Sequence, residues 1–362
     1  MDGQASWVLR KDNANMQAVL ENGPKKIEIK AFPDPVIKDD EVLMKIRAND
    51  LCQNDVRDYT GDTKWTYPRV GGHEFSGEIV AVGKDVNPKH FQVGDHVVKY
   101  ILPNCGECYY CQTGRPNLCT EIYSSPTFHN DHGISGFWGM SQLMAVKSTD
   151  LFKYPKTTPF LDMAFTEPLG CVINSVDRAH VQLGQDTLVI GGGVMGLLHV
   201  MVLKLKGARV LVSEPDETRR QLALKLGADF VLDPMQKDPI KIVKDATEGR
   251  GADAVFNTTA VPAIAKQAIA FTANGGQTFM FSSMHPDDPV PIDLGAVHSH
   301  EKFIKGTVSP TRETYFRATQ LIGKKILNMR PLLDKTFSYT DAESAFKYAM
   351  LPDTLKTMVT FD

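Results

Sequence analysis

Cys52, His73 and Glu74 are the side chains best suited to hold a metal, with another carboxylate at Glu167 and four more cysteines at 105–119. His73 and Glu74 stand in Gly71-Gly72-His73-Glu74-Phe75-Ser76-Gly77-Glu78-Ile79-Val80-Ala81-Val82-Gly83, behind two glycines and ahead of an apolar, β-branched run. That order predicts a tight turn delivering two metal-capable side chains into a strand. Alone, such a pair reads as a hydrogen-bonded structural contact. The His-Glu-x-x-His pattern of a protease helix is missing, because Gly77 stands where the second histidine belongs. The company of Cys52 and of Thr166-Glu167-Pro168-Leu169-Gly170 is what points to a metal centre.

A second cluster follows. Cys105-Gly106-Glu107-Cys108-Tyr109-Tyr110-Cys111 runs through Arg115-Pro116-Asn117-Leu118 to Cys119, a Cys-x-x-Cys-x-x-Cys-x7-Cys spacing. Four thiolates so close together fit a closed tetrahedral zinc site with no position open for chemistry. An iron–sulfur cluster also uses four cysteines and is the competing reading. The role expected is structural: the metal pins a lobe that lacks a core of its own.

These residues need a scaffold, and 362 residues exceed what a single core serves, so two domains are expected. A net charge of -3 gives no case for a nucleic-acid or membrane partner. No apolar run approaches the roughly 20 residues of a membrane span, and the N-terminus lacks a signal peptide's apolar core. With six cysteines and no such signal, metal ligation in the cytoplasm is expected over a disulfide framework.

Residues 1–15 are polar apart from Trp7-Val8-Leu9 and form an N-terminal extension. From 16 to 165 short β-rich runs such as Glu41–Ile46, Glu78–Val82 and Asp95–Val98 alternate with Pro, Gly and Asp. They predict a barrel-like, mainly antiparallel first domain. From 166 to 308 strands alternate with helices. Glu167-Pro168 opens a helical stretch, Thr187–Ile190 is a strand, and further strands are expected at 209–214, 230–232, 254–256 and 277–281. The α/β class with a doubly wound parallel sheet follows. Residues 309–362, with a helix near 313–325, a β-like run at 335–339 and a helix at 342–350, are expected to return to the first domain.

Gly191-Gly192-Gly193-Val194-Met195-Gly196 is a G-x-G-x-x-G motif between that first strand and a helix, with Glu214 about twenty residues on. In that context Gly191, Gly193 and Gly196 let the backbone approach a pyrophosphate, and the helix start at Val194 and Met195 supplies amides. Glu214 can accept both ribose hydroxyls and would repel a 2′-phosphate, so NAD is preferred over NADP. Arg219 and Arg220 read as solvated helix charges.

With these pieces in place, the sequence resembles the zinc-containing medium-chain dehydrogenase superfamily along nearly its whole length from Met16. The matching residues are Cys52 with Asp55, Gly72-His73-Glu74-x-x-Gly77-x5-Gly83, the four-cysteine lobe, Glu167-Pro168-Leu169 and Gly191-x-Gly193-x-x-Gly196. Glu-Pro-Leu resembles the branch of sorbitol, butanediol and threonine dehydrogenases. The resemblance implies a GroES-like catalytic domain and a Rossmann domain with the active site in the cleft between them, a homodimer or homotetramer, and two zinc ions, one catalytic and one structural. One thiolate, one imidazole and one carboxylate with an open position suit catalytic zinc, a Lewis acid that lowers the pKa of a bound alcohol. Cys52 and His73 are the expected ligands, completed by Glu74 or Glu167; Glu74, Glu167 or metal-bound water is expected to handle the proton.

Two departures stand out. The family's Cys-Gly-Ser/Thr-Asp is replaced by Cys52-Gln53-Asn54-Asp55, so the amide of Asn54 stands where a relaying hydroxyl is usual. Asn54 is expected to bind a substrate hydroxyl. Arg57, Lys64 and Arg69 read either as surface charge or as a phosphate or carboxylate site. Cys171 reads as packing, His129 and His132 as loop residues that solvent or substrate can reach, and Phe137 and Trp138 as pocket wall or core. The expected activity is NAD-dependent oxidation of a secondary alcohol of a polyol, or reduction of the ketose. Alternatives are a sugar phosphate, sugar acid or amino alcohol substrate, and, remotely, an inactive nucleotide-binding protein.

Overall fold

The computed structural model describes residues 15–62, 66–122, 133–236, 238–284 and 288–361. Residues 1–14, Lys64, His129 and His132 lie outside them. The chain divides into two compact units, Met1–Glu167 with Tyr315–Asp362, and Pro168–Thr314.

In the first unit, β1 (Asn15–Gly23) and β2 (Lys26–Pro33) form an antiparallel ribbon. The main sheet is built on β3 (Glu41–Asp50) and β4 (Glu74–Val82), with β5 (His96–Lys99), β6 (Leu143–Lys147) and β7 (Leu151–Tyr154). Alternation in β3 is strict: Val42, Met44, Ile46 and Ala48 are fully buried while their neighbours are half-buried. At its end the alternation gives way to buried Asn49 and Asp50, an abnormal place for polar groups unless something pairs them.

The second unit carries β8 (Asp186–Ile190), β9 (Arg209–Ser213), β10 (Phe230–Leu232), β11 (Ala252–Asn257), β12 (Thr272–Met280) and β13 (Phe303–Gly306). They form one parallel sheet in the order β10-β9-β8-β11-β12-β13. Central β8 is buried at every residue, as a strand covered on both faces must be. Leu188, Ile190, Leu211, Val255 and Phe271 head its core, and the helix Val194–Leu205 is buried over most of its length.

The chain then returns to the first unit through β14 (Leu333–Ser338) and β15 (Lys356–Thr360), giving a sheet ordered β14-β15-β3-β4-β5-β7 with β6 on β3. Several elements were not anticipated from the sequence: the helices Gln53–Thr60 and Leu294–Ser299, and the strands β13 and β15. Gln53–Thr60 is short and rich in Asp, Asn and Thr, and its helical state rests on tertiary context more than on propensity.

Candidate functional site

Strand register assembles the first cluster. β3 runs antiparallel to β4 and to β15, so Asp50 lies opposite both Glu74 and Met358. Two residues past the end of β3, Cys52 caps the helix Gln53–Thr60; just before β4, His73 follows Gly72 at a φ of 83° that favours glycine. The ligand atoms of Cys52, His73 and Glu74 thereby lie within 4.8 Å of one another. Glu167 is outside that group; it is buried in the first turn of the helix Thr166–Ala179.

Asp55 ties two members of the cluster together. Its Oδ2 accepts the Cys52 N–H at 2.9 Å, its Oδ1 accepts the Gly72 N–H at 3.2 Å, and Oδ1 stands 3.6 Å from His73 Nδ1. That leaves His73 Nε2 facing Glu74 Oε1 at 3.9 Å. Burial pushes the Cys52 thiol up and opposes charge on His73. Asp55 and Cys52 outweigh that opposition and raise the imidazole well above its usual value. A pocket with these preferences favours a cation, and one sulfur, one nitrogen and one carboxylate fit a three-ligand zinc site.

Lys356, the first residue of β15, donates to Glu74 and stands 3.1 Å from Asp50 Oδ2, with all three side chains buried. Neither Lys356 nor Asp50 was picked out from the sequence. Asp50 left a faint signal, a buried acid ending an apolar alternation, whereas Lys356 joins it only through the pairing of an unanticipated strand.

The four cysteines form the second cluster. Their sulfurs lie within 4.8 Å of one another, with Cys105 Sγ 4.0 Å from Cys111 Sγ and 3.6 Å from Cys119 Sγ. A tetrahedron with zinc–sulfur bonds of about 2.3 Å has edges of about 3.8 Å, so the spacing suits an ion and not a disulfide. Backbone amides of Cys108, Cys105 and Glu121 donate to these sulfurs, the arrangement that thiolates need. Among the described residues, Cys119 and Ile122 anchor the local apolar cluster, joined by Cys108, Cys111 and Phe137.

Of the remaining candidates, Asn54 is exposed and its Oδ1 accepts from the half-buried Arg57. Arg69 is neither surface charge nor open to a ligand: it is buried, ion-paired with Asp58, with its Nε 3.8 Å from Glu21 Oε1. Phe137 lies 5.5 Å ring to ring from His73; Trp138, at a φ of 61°, packs edge-on to Phe32. Cys171 is half-buried on the helix Thr166–Ala179.

In the second unit Gly191 has a φ of 102° and Gly193 caps the helix that begins Val194-Met195. A β-carbon at Gly196 would stand 1.8 Å from the Gly191 carbonyl oxygen, whereas one at Gly193 would meet nothing within 4 Å. The first glycine–helix contact is therefore obligatory and the second faces open space, as a pyrophosphate cradle requires. Glu214 follows β9, with Oε2 accepting the Gly192 N–H at 2.5 Å and Oε1 accepting the Asp216 N–H at 2.9 Å. Arg220 turns back onto the carbonyls of Glu214 and Pro215.

Against known proteins, residues 38–156 match the alcohol dehydrogenase GroES-like domain and residues 194–324 the zinc-binding dehydrogenase model. An L-threonine 3-dehydrogenase of Thermococcus kodakarensis is 30% identical over 342 residues, covering 92% of this chain and 94% of the relative. The chain belongs to the zinc-containing medium-chain dehydrogenase superfamily. Within its polyol dehydrogenase branch, a sorbitol dehydrogenase of Bacillus subtilis is 28% identical over 352 residues, 95% of this chain and 97% of the other. Among solved structures, a zinc-binding dehydrogenase from Sinorhizobium meliloti bound to NADP superposes with a TM-score of 0.88 at 26% identity, over 96% of this chain and all of that one.

Proposed function

We propose that this dehydrogenase moves a hydride between NAD and a secondary alcohol or ketone of a polyol, with Cys52, His73 and Glu74 holding a catalytic zinc. The observation that carries the proposal is the convergence of those three ligand atoms within 4.8 Å. Cys105, Cys108, Cys111 and Cys119 would hold a second, structural zinc. When bound, the catalytic zinc supplies Lewis acidity at the alcohol oxygen, and the nicotinamide supplies the hydride acceptor.

The chain's own residues do the rest. Asp55 fixes His73 with Nδ1 toward the carboxylate and Nε2 free for the metal. Lys356 steadies Glu74 and offsets its charge. Phe137 walls one side of His73. Asn54, with Oδ1 engaged by Arg57, offers its Nδ2 hydrogens to a substrate hydroxyl. Glu167, outside the ligand group, is left as the carboxylate for proton transfer. In the second unit the amides at Gly193, Val194 and Met195 bind pyrophosphate and Glu214 binds the adenosine ribose, which favours NAD although the Sinorhizobium relative holds NADP. No described helix is long and apolar enough to cross a membrane. The composition supports a cytoplasmic location, and the family likeness supports a homodimer or homotetramer.

Two variants tested side by side check the assignment. His73→Ala is expected to lose one metal per chain and at least roughly a hundredfold in turnover. Asn54→Ser is expected to keep both metals and gain no turnover. A faster Asn54→Ser enzyme with the same substrate preference would mean that a hydroxyl relay belongs at residue 54.

A further inference from the structure

A buried arginine lies beside the proposed metal site and takes no part in the chemistry proposed there. Arg69 is 1% exposed. Its guanidinium pairs with Asp58, and its Nε lies 3.8 Å from Glu21 Oε1. Backbone bonds in both directions between Arg69 and Glu21, at 2.9 and 3.0 Å, lock the segment to β1. Asp55 and Asp58 are buried residues of one helix at i and i+3, a spacing at which like charges repel. A cation beside them relieves that repulsion, and Arg69 supplies one against Asp58.

Gly71 shows how closely these groups approach the site. A β-carbon there would stand 2.9 Å from Glu21 Oε1, 3.4 Å from Asp55 Oδ1 and 3.6 Å from Arg69 Nη2. The three side chains thus converge on one point in the backbone two residues before His73. Burial pushes Glu21 up to about 8, so at neutral pH the charge pair of the guanidinium is the one with Asp58, on the helix that also carries Asp55. The positive charge of Arg69 also acts on Asp55. Losing Arg69 would take from buried Asp58 the cation it pairs with, and burying an uncompensated charge is costly.

Resting on the proposed ligand set, we propose that Arg69 is a positioning residue for the catalytic metal. By pairing with Asp58 it anchors the helix Gln53–Thr60, from whose first turn Asp55 fixes both Cys52 and His73. The four-cysteine zinc has no part in this network, which makes it an internal control for general loosening of the fold.

The test follows zinc release to a chromogenic chelator from wild type, Arg69→Met, Arg69→Lys and Glu21→Gln, together with the visible spectrum of cobalt-substituted protein. Two release phases are expected for the wild type. In Arg69→Met the catalytic phase should quicken about 10- to 100-fold, the range for lost partners of metal ligands, while the structural phase stays put. Arg69→Lys keeps the charge and should recover part of the loss, with an altered cobalt spectrum; Glu21→Gln should behave as wild type. Unchanged catalytic-phase release in Arg69→Met would overturn the proposal, as would both phases quickening equally there. If Arg69→Met does not fold, Arg69→Lys decides: selective quickening supports the role, and unchanged or uniform release overturns it. A wild type with only the structural metal would overturn the ligand set, and this proposal with it.

Discussion

In the proposed reading, Glu214 carries the choice of nucleotide in a single carboxylate. Each of its oxygens already accepts one backbone N–H, from Gly192 and from Asp216, and each keeps a lone pair for a ribose hydroxyl. Charge-assisted bonds of this kind contribute about 1.5–3 kcal/mol. Glu214→Ala should therefore raise the KM for NAD by roughly 10- to 100-fold and narrow the gap to NADP; kinetics with both cofactors will show it, and an unchanged NAD KM would remove Glu214 from the ribose site. At this scale the sequence was legible wherever a residue's chemistry is set by its neighbours in the chain. His73, Glu74, Cys52 and the four cysteines all announce themselves by spacing. Lys356 and Glu21 do not, because their partners Glu74 and Arg69 lie more than forty residues away in the chain, and a lone buried charge looks in sequence like a solvated one.

Elements explain why some positions tolerate nothing else. The turn from β8 into the helix Val194–Leu205 brings Gly196 against the Gly191 carbonyl, and the same helix carries His199 into the core. His199 Nδ1 meets the Met195 carbonyl at 2.7 Å and Nε2 meets Ser175 Oγ at 3.1 Å, between the rings of Phe256 and Phe281. Burial, only partly offset by the Met195 carbonyl, brings its pKa down from 6.5 to about 4. The unfolded chain takes up this proton near pH 6.5 and the folded chain near 4, so the stabilisation is complete above 6.5 and is lost as pH falls toward 4. The loss amounts to about 3 kcal/mol. Urea midpoints of wild type and His199→Gln should converge as pH drops through that window; a gap independent of pH would show that His199 titrates normally. Elements were legible where period and punctuation agreed, as in the alternating strands and helices from 186 to 281. Gln53–Thr60 and β15 were missed because neither is specified locally: one is held by its cap and by packing, the other by neighbouring strands.

On the scale of the whole molecule, chain order departs from spatial order. The second unit, Pro168–Thr314, interrupts the first, whose strand β15 comes from the end of the chain and lies against β3 from near its start. That return places Lys356 beside Glu74, so the proposed metal site is not complete until the C-terminal strand has joined. The alternation of β and βα patterns made the two-part architecture readable, and the β-like run near 335 suggested the return, but the sheet position that makes it functional is a property of register. The central claim is that one chain carries two metals, one of which works on an alcohol with NAD. The most direct measurement is metal content per chain by elemental analysis, paired with NADH formation on a panel of polyols, polyol phosphates and threonine. Two zinc ions per chain and turnover on neutral polyols are predicted. One zinc per chain and no NADH formation from any alcohol would contradict the claim and favour a nucleotide-binding protein without turnover.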